Sequence, residues 1–153
     1  MRVVIYGCGQ VGLKIADALS RQNHKVTMID RDPDTFRKLE TAIPGCLFVV
    51  GDAIDQDVLR KAEIEQADLF LALTGEDNAN LFAAQAAQTL FNVRRVLARV
   101  ADPTRAQAFA ELGLTAICST DLIAAAVKEK IGLSTPGPAA EKAGRKPAGK
   151  VAK

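Results

Sequence analysis

Short apolar runs alternate with amphipathic stretches six times along this chain, and this alternation limits its possible folds more than any other feature. Such a pattern predicts strands that are each followed by a helix. Strands separated by helices form parallel βαβ units with right-handed crossovers, so we expect an α/β fold of the Rossmann type with a doubly wound, six-stranded parallel sheet. The predicted strands are Arg2–Tyr6, Lys25–Ile29, Cys46–Val50, Leu69–Leu73, Arg95–Val100 and Thr115–Cys118.

Capping residues mark the ends of several helices. Asp32 before Pro33, and Asp102 before Pro103, each place a capping carboxylate ahead of a proline at the first helical position. Gly132 is typical of a residue that closes a helix. The predicted helices are Gln10–Arg21, Pro33 to about Ile43, Gln56–Ala62, Asp77–Phe91, Pro103 to about Leu112, and Thr120–Ile131.

The composition changes after Leu133. Residues 134–153 are rich in Ala, Gly, Pro and Lys and contain one large apolar residue, Val151. Such a segment buries too little surface to offset the entropy of ordering, so we expect one domain over residues 1–133 and a disordered basic tail over 134–153. The tail carries a net charge of +4, which leaves about −2 on residues 1–133. A mildly acidic domain is not expected to bind nucleic acid.

Three cysteines, Cys8, Cys46 and Cys118, occur without close pairing. This pattern fits a reducing compartment and indicates neither a disulfide framework nor a structural zinc site. No apolar run is long enough to span a bilayer, and nothing in the sequence indicates secretion. We therefore expect a cytoplasmic protein without a metal site.

A glycine-rich loop follows the first predicted strand and opens the first helix, which is the context that gives the GxGxxG pattern its meaning. Gly7 permits the tight turn, Gly9 lets a pyrophosphate approach the backbone, and Gly12 allows the helix to pack closely on the strand. The helix N-terminus then offers free N–H groups to phosphates. A glycine turn that binds nothing is the alternative. The candidate loop residues are Gly7, Cys8, Gly9, Gln10, Val11 and Gly12.

Asp30 ends the second predicted strand, 18 residues after Gly12. An acid at that place accepts hydrogen bonds from ribose hydroxyls and repels a 2′-phosphate. We therefore expect NAD(H) to bind at least about tenfold more tightly than NADP(H), a difference of about 1.4 kcal/mol. Arg31 is expected to lie over the adenine or in solvent, and a simple turn acid is the alternative for Asp30.

Later strands end on further candidate site residues. Asp52 and Ala53 follow the third strand, Thr74 and Gly75 end the fourth, and Arg99 ends the fifth. All five are expected at the carboxyl edge of the sheet, where open α/β sheets bind their ligands. Asp52 would contact the adenine edge, Thr74 would line the cleft, and Arg99 would contact phosphate or ribose.

Each of these candidates has a structural alternative. Asp52 could cap the turn that follows it, and Arg99 could form an ion pair with Asp102. Asp77 or Asn78 could cap the following helix.

Together these residues resemble the RCK domain, the regulator of potassium conductance, also called the nucleotide-binding domain of Trk and Ktr potassium-uptake systems. The resemblance covers about Arg2 to Leu133, and its more specific parts lie beyond the glycine loop. The segments that show the resemblance are Val3–Gly12, Val26–Asp32, Val49–Ala53, Leu73–Leu81 and Ala98–Pro103.

The resemblance implies a cytoplasmic sensor of NAD(H), ADP or ATP that forms at least a dimer beneath a membrane-embedded potassium-translocating subunit. Gly7, Gly9 and Gly12 would form its phosphate loop. By the same resemblance, Asp30 would bind the ribose and Asp52 the adenine side, with Thr74 as cleft wall and Arg99 on the phosphate side. The alanine-rich faces of the Asp77–Phe91 helix and of the last helix suit close packing between copies.

Two positions depart from the family pattern. Gln10 stands where members often carry Arg, and Ser119-Thr120 stands where many carry Pro-Glu. Both changes remove charges that could serve a γ-phosphate or its metal ion, so we expect NAD(H) or ADP to bind at least as tightly as magnesium-ATP. The smaller carboxyl-terminal domain of many members has no counterpart in this sequence.

We do not expect an enzyme, because the six strands use up the predicted ordered length and leave no substrate domain. Cys8 is predicted to be a small filler within the loop, and Cys118 has no visible base partner. An NAD-dependent oxidoreductase subunit and a structural ring scaffold without ligand sensing remain the alternative functions.

Overall fold

The structure, a computed structural model, describes residues 1–39 and 43–133. Six parallel strands form one sheet in the order β3-β2-β1-β4-β5-β6. The predicted doubly wound Rossmann-type architecture is therefore confirmed. The predicted disordered tail, residues 134–153, lies outside the described residues.

The elements follow one another as the sequence predicts, and apart from the end of α2 their boundaries differ from the predicted ones by no more than two residues. A single-turn 3-10 helix, Ile64–Gln66, was not predicted. In chain order the elements are β1 (Arg2–Tyr6), α1 (Gln10–Arg21), β2 (Lys25–Asp30), α2 (Pro33–Leu39), β3 (Leu47–Val50), α3 (Gln56–Lys61), β4 (Leu69–Ala72), α4 (Asp77–Thr89), β5 (Val96–Val100), α5 (Pro103–Glu111), β6 (Thr115–Cys118) and α6 (Ser119–Lys130).

The predicted caps are present. The Asp32 carboxylate accepts a hydrogen bond from the backbone N–H of Asp34 at 2.9 Å, and the Asp102 carboxylate accepts one from Thr104 N–H at 2.8 Å. Both helices start at the predicted proline. The predicted extension of α2 to Ile43 is not found: residues 40–42 lie outside the described residues, and Ile43 itself is not helical.

Alternate residues of β1 enter two different apolar layers. Val4 and Tyr6 belong to a core cluster shared with α3, α4 and α5, whereas Val3 and Ile5 belong to a cluster shared with α1 and α2. The two-residue period of a strand produces this division, and all four side chains are buried because helices cover both faces of the sheet.

The alanines of α4 pack within their own chain. Four of the five are fully or almost fully buried in the cluster that also contains Phe70 and Ala72 of β4 and Ala98 of β5, and Ala86 is partly buried. Our expectation that this alanine face is available to a second copy is therefore wrong, because the small side chains instead let α4 lie close to its own sheet. The buried alanines are Ala79, Ala83, Ala84 and Ala87.

Residues 1–120 form one compact unit, and the described residues 121–133 belong to a second. The second unit contains most of α6 and its C-terminal cap. Gly132 has a φ of +74°, its N–H bonds to the Glu129 carbonyl at 3.2 Å, and the Leu133 N–H bonds to the Lys128 carbonyl at 2.8 Å. This is the Schellman arrangement for which glycine is favoured.

Gly12 provides a test of how α1 packs. A methyl group at Gly12 would collide with the backbone carbonyl of Gly7, whereas one at Gly9 would meet no atom within 4 Å. Gly12→Ala should lower the free energy of unfolding by about 1–3 kcal/mol, although alanine is the better helix former. Gly9→Ala should change it by less than about 1 kcal/mol. Urea denaturation of both variants checks this, and equal stabilities would contradict the close packing.

Candidate functional site

The carboxyl ends of β1, β2, β4 and β5 meet at one edge of the sheet and surround two adjoining clefts. The first, which we call the loop cleft, has a volume of about 360 Å³ and is lined by Gly7, Gly9, Gln10, Val11, Asp30, Leu73, Thr74, Gly75 and Arg99. The second, which we call the acid cleft, has a volume of about 210 Å³ and is lined by Tyr6, Asp30, Arg31, Thr74, Gly75 and Glu76.

Nine of the predicted site residues therefore line at least one of the two clefts, and three of these nine, Asp30, Thr74 and Gly75, line both. A further cleft of about 280 Å³ lies at the amino ends of β1 and β2, near Arg2 and Lys25. Because open α/β sheets bind ligands outside the carboxyl ends of their strands, we take the loop and acid clefts as the candidate site.

The glycine loop has the conformation that its sequence predicts. Gly7 has a φ of +109°, and a side chain there would meet the backbone nitrogen of Thr74 at 2.9 Å. Gly12 lies under the Gly7 carbonyl. The reasons given for these two glycines are therefore confirmed: one needs a left-handed turn, and the other needs close backbone packing.

Gly9 leaves the start of α1 open. It is the N-cap residue, it offers no side-chain cap, and the first turn of α1 contains no acidic residue. The first N–H groups of a helix have no partner within the helix, and they carry the positive end of its dipole. At the loop cleft they can donate hydrogen bonds to an anion such as a phosphate.

Cys8 does not line either cleft. Its side chain is buried in the apolar layer beneath α1 and α2, and burial together with the nearby Asp30 carboxylate raises the pKa of its thiol to about 12. A thiol with so high a pKa is a poor nucleophile at neutral pH. The structure thus agrees with the interpretation of Cys8 as a filler.

Asp30 lies at the boundary of the two clefts and is already hydrogen-bonded to the protein. One carboxylate oxygen accepts the Cys8 N–H at 2.7 Å, and the other accepts the Asp32 N–H at 3.1 Å. These bonds hold the carboxylate in place between the glycine loop and the end of β2. Each oxygen retains acceptor capacity, so Asp30 can also accept from a hydroxyl group.

Asp52 is the centre of a polar group at the acid cleft. It accepts the Tyr6 hydroxyl at 2.7 Å and the Ile54 N–H at 3.1 Å, and its other oxygen lies 2.7 Å from the Arg31 guanidinium. Arg31 also reaches Glu76, at 3.5 Å. The alternative role of Asp52 as a turn cap is therefore present together with these side-chain contacts. Arg31 is half exposed at this place, and its expected position over the adenine or in solvent stays a prediction.

The same contacts explain two pKa shifts. Burial and the adjacent Asp52 charge raise the pKa of the Tyr6 hydroxyl above its usual value. Partial burial would raise the pKa of Asp52, but hydrogen bonds from Tyr6 and Ile54 and the charge of Arg31 outweigh it and lower that pKa. Tyr6 thus stays a neutral donor and Asp52 a carboxylate over the physiological pH range.

Ala53 is fully buried in the core cluster and lines neither cleft. Its side chain is part of the packing against α3, since Val58 and Leu59 belong to the same cluster. Its predicted place in the site therefore depends on its backbone alone.

Thr74 and Arg99 are held together by Asn80, whose side chain is completely buried. The Asn80 side-chain oxygen accepts the Thr74 N–H at 2.9 Å and the Thr74 hydroxyl at 2.7 Å. Its amide nitrogen donates to the carbonyls of Thr74 and Arg99, both at 3.0 Å. Asn80 thereby joins the ends of β4 and β5 beneath the loop cleft.

The first turn of α4 makes further bonds to the loop after β5. The Asp77 carboxylate accepts the N–H groups of Ala101 and Asp102 at 2.8 and 3.1 Å, and Asn78 accepts from Arg105 at 2.6 Å. The expectation that Asp77 or Asn78 caps α4 is therefore wrong, because both side chains bond to a neighbouring segment.

Arg99 lines the loop cleft, and its guanidinium donates to the Thr74 carbonyl at 3.4 Å. The alternative of an ion pair with Asp102 is not found, since the Asp102 carboxylate caps α5 and lies 3.8 Å from Arg105. The weak bond to Thr74 leaves most donors of Arg99 available at the cleft.

Sequence reasoning missed three residues of this site: Tyr6, Glu76 and Asn80. Tyr6 reads as a core residue of β1, and only its position at the last place of a strand could have indicated a polar role. Asn80 lies on the buried face of α4, and a polar residue among alanines was the available signal.

Among residues 1–39 and 43–133, no group of three or more His, Cys, Asp or Glu side chains is arranged to hold a metal ion. Within the same residues, no helix is both long and apolar enough to cross a membrane.

Comparisons with known sequences indicate one family. The profile of the TrkA-N domain matches residues 3–120. The Trk system potassium uptake protein TrkA of Streptomyces coelicolor is 44% identical over 119 residues, which are 78% of this chain and 53% of that protein. The chain thus spans about half the length of this relative.

Solved structures share the fold. The TrkA-N domain of the inner membrane protein YbaL from Escherichia coli aligns with a TM-score of 0.76 at 17% identity, over 85% of this chain and 96% of that one. The GsuK channel bound to NAD aligns with a TM-score of 0.65 at 20% identity, over 76% of this chain and 21% of that one. GsuK bound to ADP aligns at 0.70 with 23% identity, over 84% and 33% of the two chains.

Asn80 provides a test of the site's construction. Asn80→Ala removes the partners of one buried N–H group and two carbonyls, and should lower the free energy of unfolding by about 1–3 kcal/mol. Asn78→Ala, which removes an exposed amide two residues earlier in α4, should cost about 0.5 kcal/mol or less. Urea denaturation compares the two, and a loss at Asn78 equal to that at Asn80 would contradict the central place of Asn80.

Proposed function

The chain belongs to the TrkA-N domain family, and we propose that it binds an adenine nucleotide as the regulatory, sensing component of a potassium-uptake system. One observation carries this proposal. The uncapped N-terminus of α1, the Asp30 carboxylate and the Arg99 guanidinium face the same connected clefts. That combination supplies donors for a diphosphate and an acceptor for a ribose.

The two clefts suit the two halves of adenosine diphosphate. The loop cleft offers the α1 N–H groups and Arg99 to the phosphates. Asp30, which lines both clefts, would accept the ribose hydroxyls. The adenine would then lie in the acid cleft, which Arg31, Thr74 and Gly75 line. Asp52 does not line this cleft but contacts it through Tyr6 and Arg31.

NAD(H) and ADP are favoured over magnesium-ATP. Gln10 is neutral at the mouth of the loop cleft, where a γ-phosphate needs compensating charge. Ser119 and Thr120 offer hydroxyls in place of a metal-binding carboxylate, and the Thr120 hydroxyl already donates to the Ala101 carbonyl at 2.6 Å. Binding of NAD and of ADP is recorded for GsuK, whose structure has the same fold.

The potassium-translocating partner is proposed from the relatives. The TrkA protein of Streptomyces coelicolor is named as part of a Trk potassium uptake system. We propose that this chain acts at the inner face of the cell membrane, through a membrane-embedded potassium-translocating subunit. A ring scaffold without ligand sensing and an oxidoreductase subunit are the alternatives. The raised pKa of Cys8 disfavours thiol chemistry at the loop.

Calorimetric titration of the full chain with NAD⁺, NADH, ADP and magnesium-ATP tests the proposal. We expect NAD(H) or ADP to bind at least as tightly as magnesium-ATP. Gly9→Val should abolish binding while the protein stays folded, because the new side chain fills the open space in front of the α1 N–H groups. Gln22→Val, at the other end of α1, is the matched control and should bind normally.

Circular dichroism of Gly9→Val separates lost binding from lost folding. Unchanged affinity in Gly9→Val would remove the glycine loop from the site. Absence of binding by any of the four nucleotides to the wild-type chain would favour the scaffold, and turnover of NADH with a candidate substrate would favour the oxidoreductase.

We also propose that the chain forms at least a dimer, and that α6 contributes to the contact. Leu122, Ile123 and Val127 of α6 are each more than half exposed in the single chain. Light scattering should give at least twice the monomer mass at high micromolar concentration. Ile123→Glu should shift the protein towards monomer, whereas Gln107→Glu, which adds the same charge to an exposed position of α5, should not. A wild-type monomer with and without nucleotide would contradict this.

A further inference from the structure

We infer that Asp52, assisted by Glu76, makes the site reject adenosines that carry a 2′-phosphate, because it holds the Arg31 guanidinium away from them. This inference rests on the proposed nucleotide binding and concerns how the same site selects its ligand. It assigns Asp52 and Glu76 as positioning residues that act through Arg31.

Arg31 occupies the place from which an arginine can serve a 2′-phosphate. It follows Asp30 directly at the end of β2, and in Rossmann-type sites an arginine near this acid accommodates the 2′-phosphate of NADP. Taken from the sequence alone, Arg31 could therefore cancel the discrimination that Asp30 provides. Whether it does so depends on where its guanidinium is held.

In the structure the guanidinium of Arg31 is held by two acids. One nitrogen lies 2.7 Å from Asp52 and another lies 3.5 Å from Glu76. Asp52 is the stronger anchor, because the Tyr6 hydroxyl and the Ile54 N–H fix its carboxylate at 2.7 and 3.1 Å. Glu76, which is 66% exposed and more distant, adds a weaker contact from the N-cap position of α4.

The local charge then opposes a 2′-phosphate. Asp30, Asp52 and Glu76 carry three negative charges against the single positive charge of Arg31. A phosphate group would add about 1.5–2 negative charges at neutral pH. To pair with this phosphate, Arg31 would have to break its ion pair with the fixed Asp52 carboxylate, or else hold the phosphate close to that carboxylate. A plain ribose makes no such demand, so it is accepted.

The affinity ratio of NAD⁺ to NADP⁺ isolates this effect, because the two ligands differ only in the 2′-phosphate. The wild-type chain should prefer NAD⁺ by at least about tenfold. In Asp52→Asn, which keeps the shape of the side chain and loses its charge, this preference should fall by about threefold to tenfold. Loss of an adenine contact would weaken both ligands equally and leave the ratio unchanged.

Arg31→Ala tests whether Asp52 acts through Arg31. In the Asp52→Asn background it should restore the wild-type ratio of NAD⁺ to NADP⁺ affinity, because the guanidinium that Asp52→Asn releases is no longer present. In the wild-type background it should change the ratio by less than about twofold. Asp57→Asn is the matched control for charge: Asp57 is an exposed acid paired with Arg60, outside both clefts, and its loss should leave the ratio unchanged.

Glu76→Gln gives a second test, since it leaves the bonds of Asp52 to Tyr6 and Ile54 intact. It should also lower the preference for NAD⁺ over NADP⁺, but by a smaller factor than Asp52→Asn. The pair AMP and adenosine 2′,5′-bisphosphate repeats the measurement without the nicotinamide half. An unchanged ratio in both Asp52→Asn and Glu76→Gln, with NAD⁺ still bound, would overturn this inference alone. Failure of the wild-type chain to bind any of these ligands would overturn the proposed function and this inference with it.

Discussion

The close approach between the glycine loop and β4 is the constraint on which the rest of the site depends. The strand order reverses at β1, which lies between β2 and β4, so the loop after β1 runs over the end of β4. Gly7 touches the Thr74 backbone, and Gly12 lies under the Gly7 carbonyl. Because these contacts involve backbone atoms, no change of side-chain rotamer could relieve the clash that a larger residue would cause at either position. This packing directs the free N–H groups of α1 towards the cleft.

Carboxylates that accept backbone N–H groups then hold the loops of this edge. Asp30 binds Cys8 in the glycine loop, Asp52 binds Ile54 after β3, and Asp77 binds the loop after β5. Such charge-assisted bonds are stronger than those between neutral groups. They order the polar groups of the edge before any ligand is present, which lowers the entropic cost of binding. One consequence is an excess of negative charge at the acid cleft, where Asp30, Asp52 and Glu76 surround Arg31.

The fold was predictable because its signals are local, whereas several contacts of the site were not. A strand period, a helix cap or a glycine turn is set by neighbouring residues, so the elements and the roles of Gly7 and Gly12 follow from the sequence. Arg31 and Glu76 are 45 positions apart, and their contact exists only because β2 and β4 flank β1. The same holds for Asn80: its partners are Thr74, in the loop after β4, and Arg99, in β5, and nothing local to α4 indicates which strand ends it meets.

Asn80 and Asp77 also bear on the choice between a sensor and a scaffold. A sensor needs a physical connection from the ligand to the segment that changes. Thr74 and Arg99, which line the loop cleft, share the buried Asn80 side chain at the start of α4. From the same turn, Asp77 binds the N–H of Ala101, whose carbonyl accepts the Thr120 hydroxyl in the first turn of α6. Hydrogen bonds and one helical turn therefore connect the cleft wall to the start of α6. The proposed sensing function requires such a connection between the ligand and a segment that responds to it.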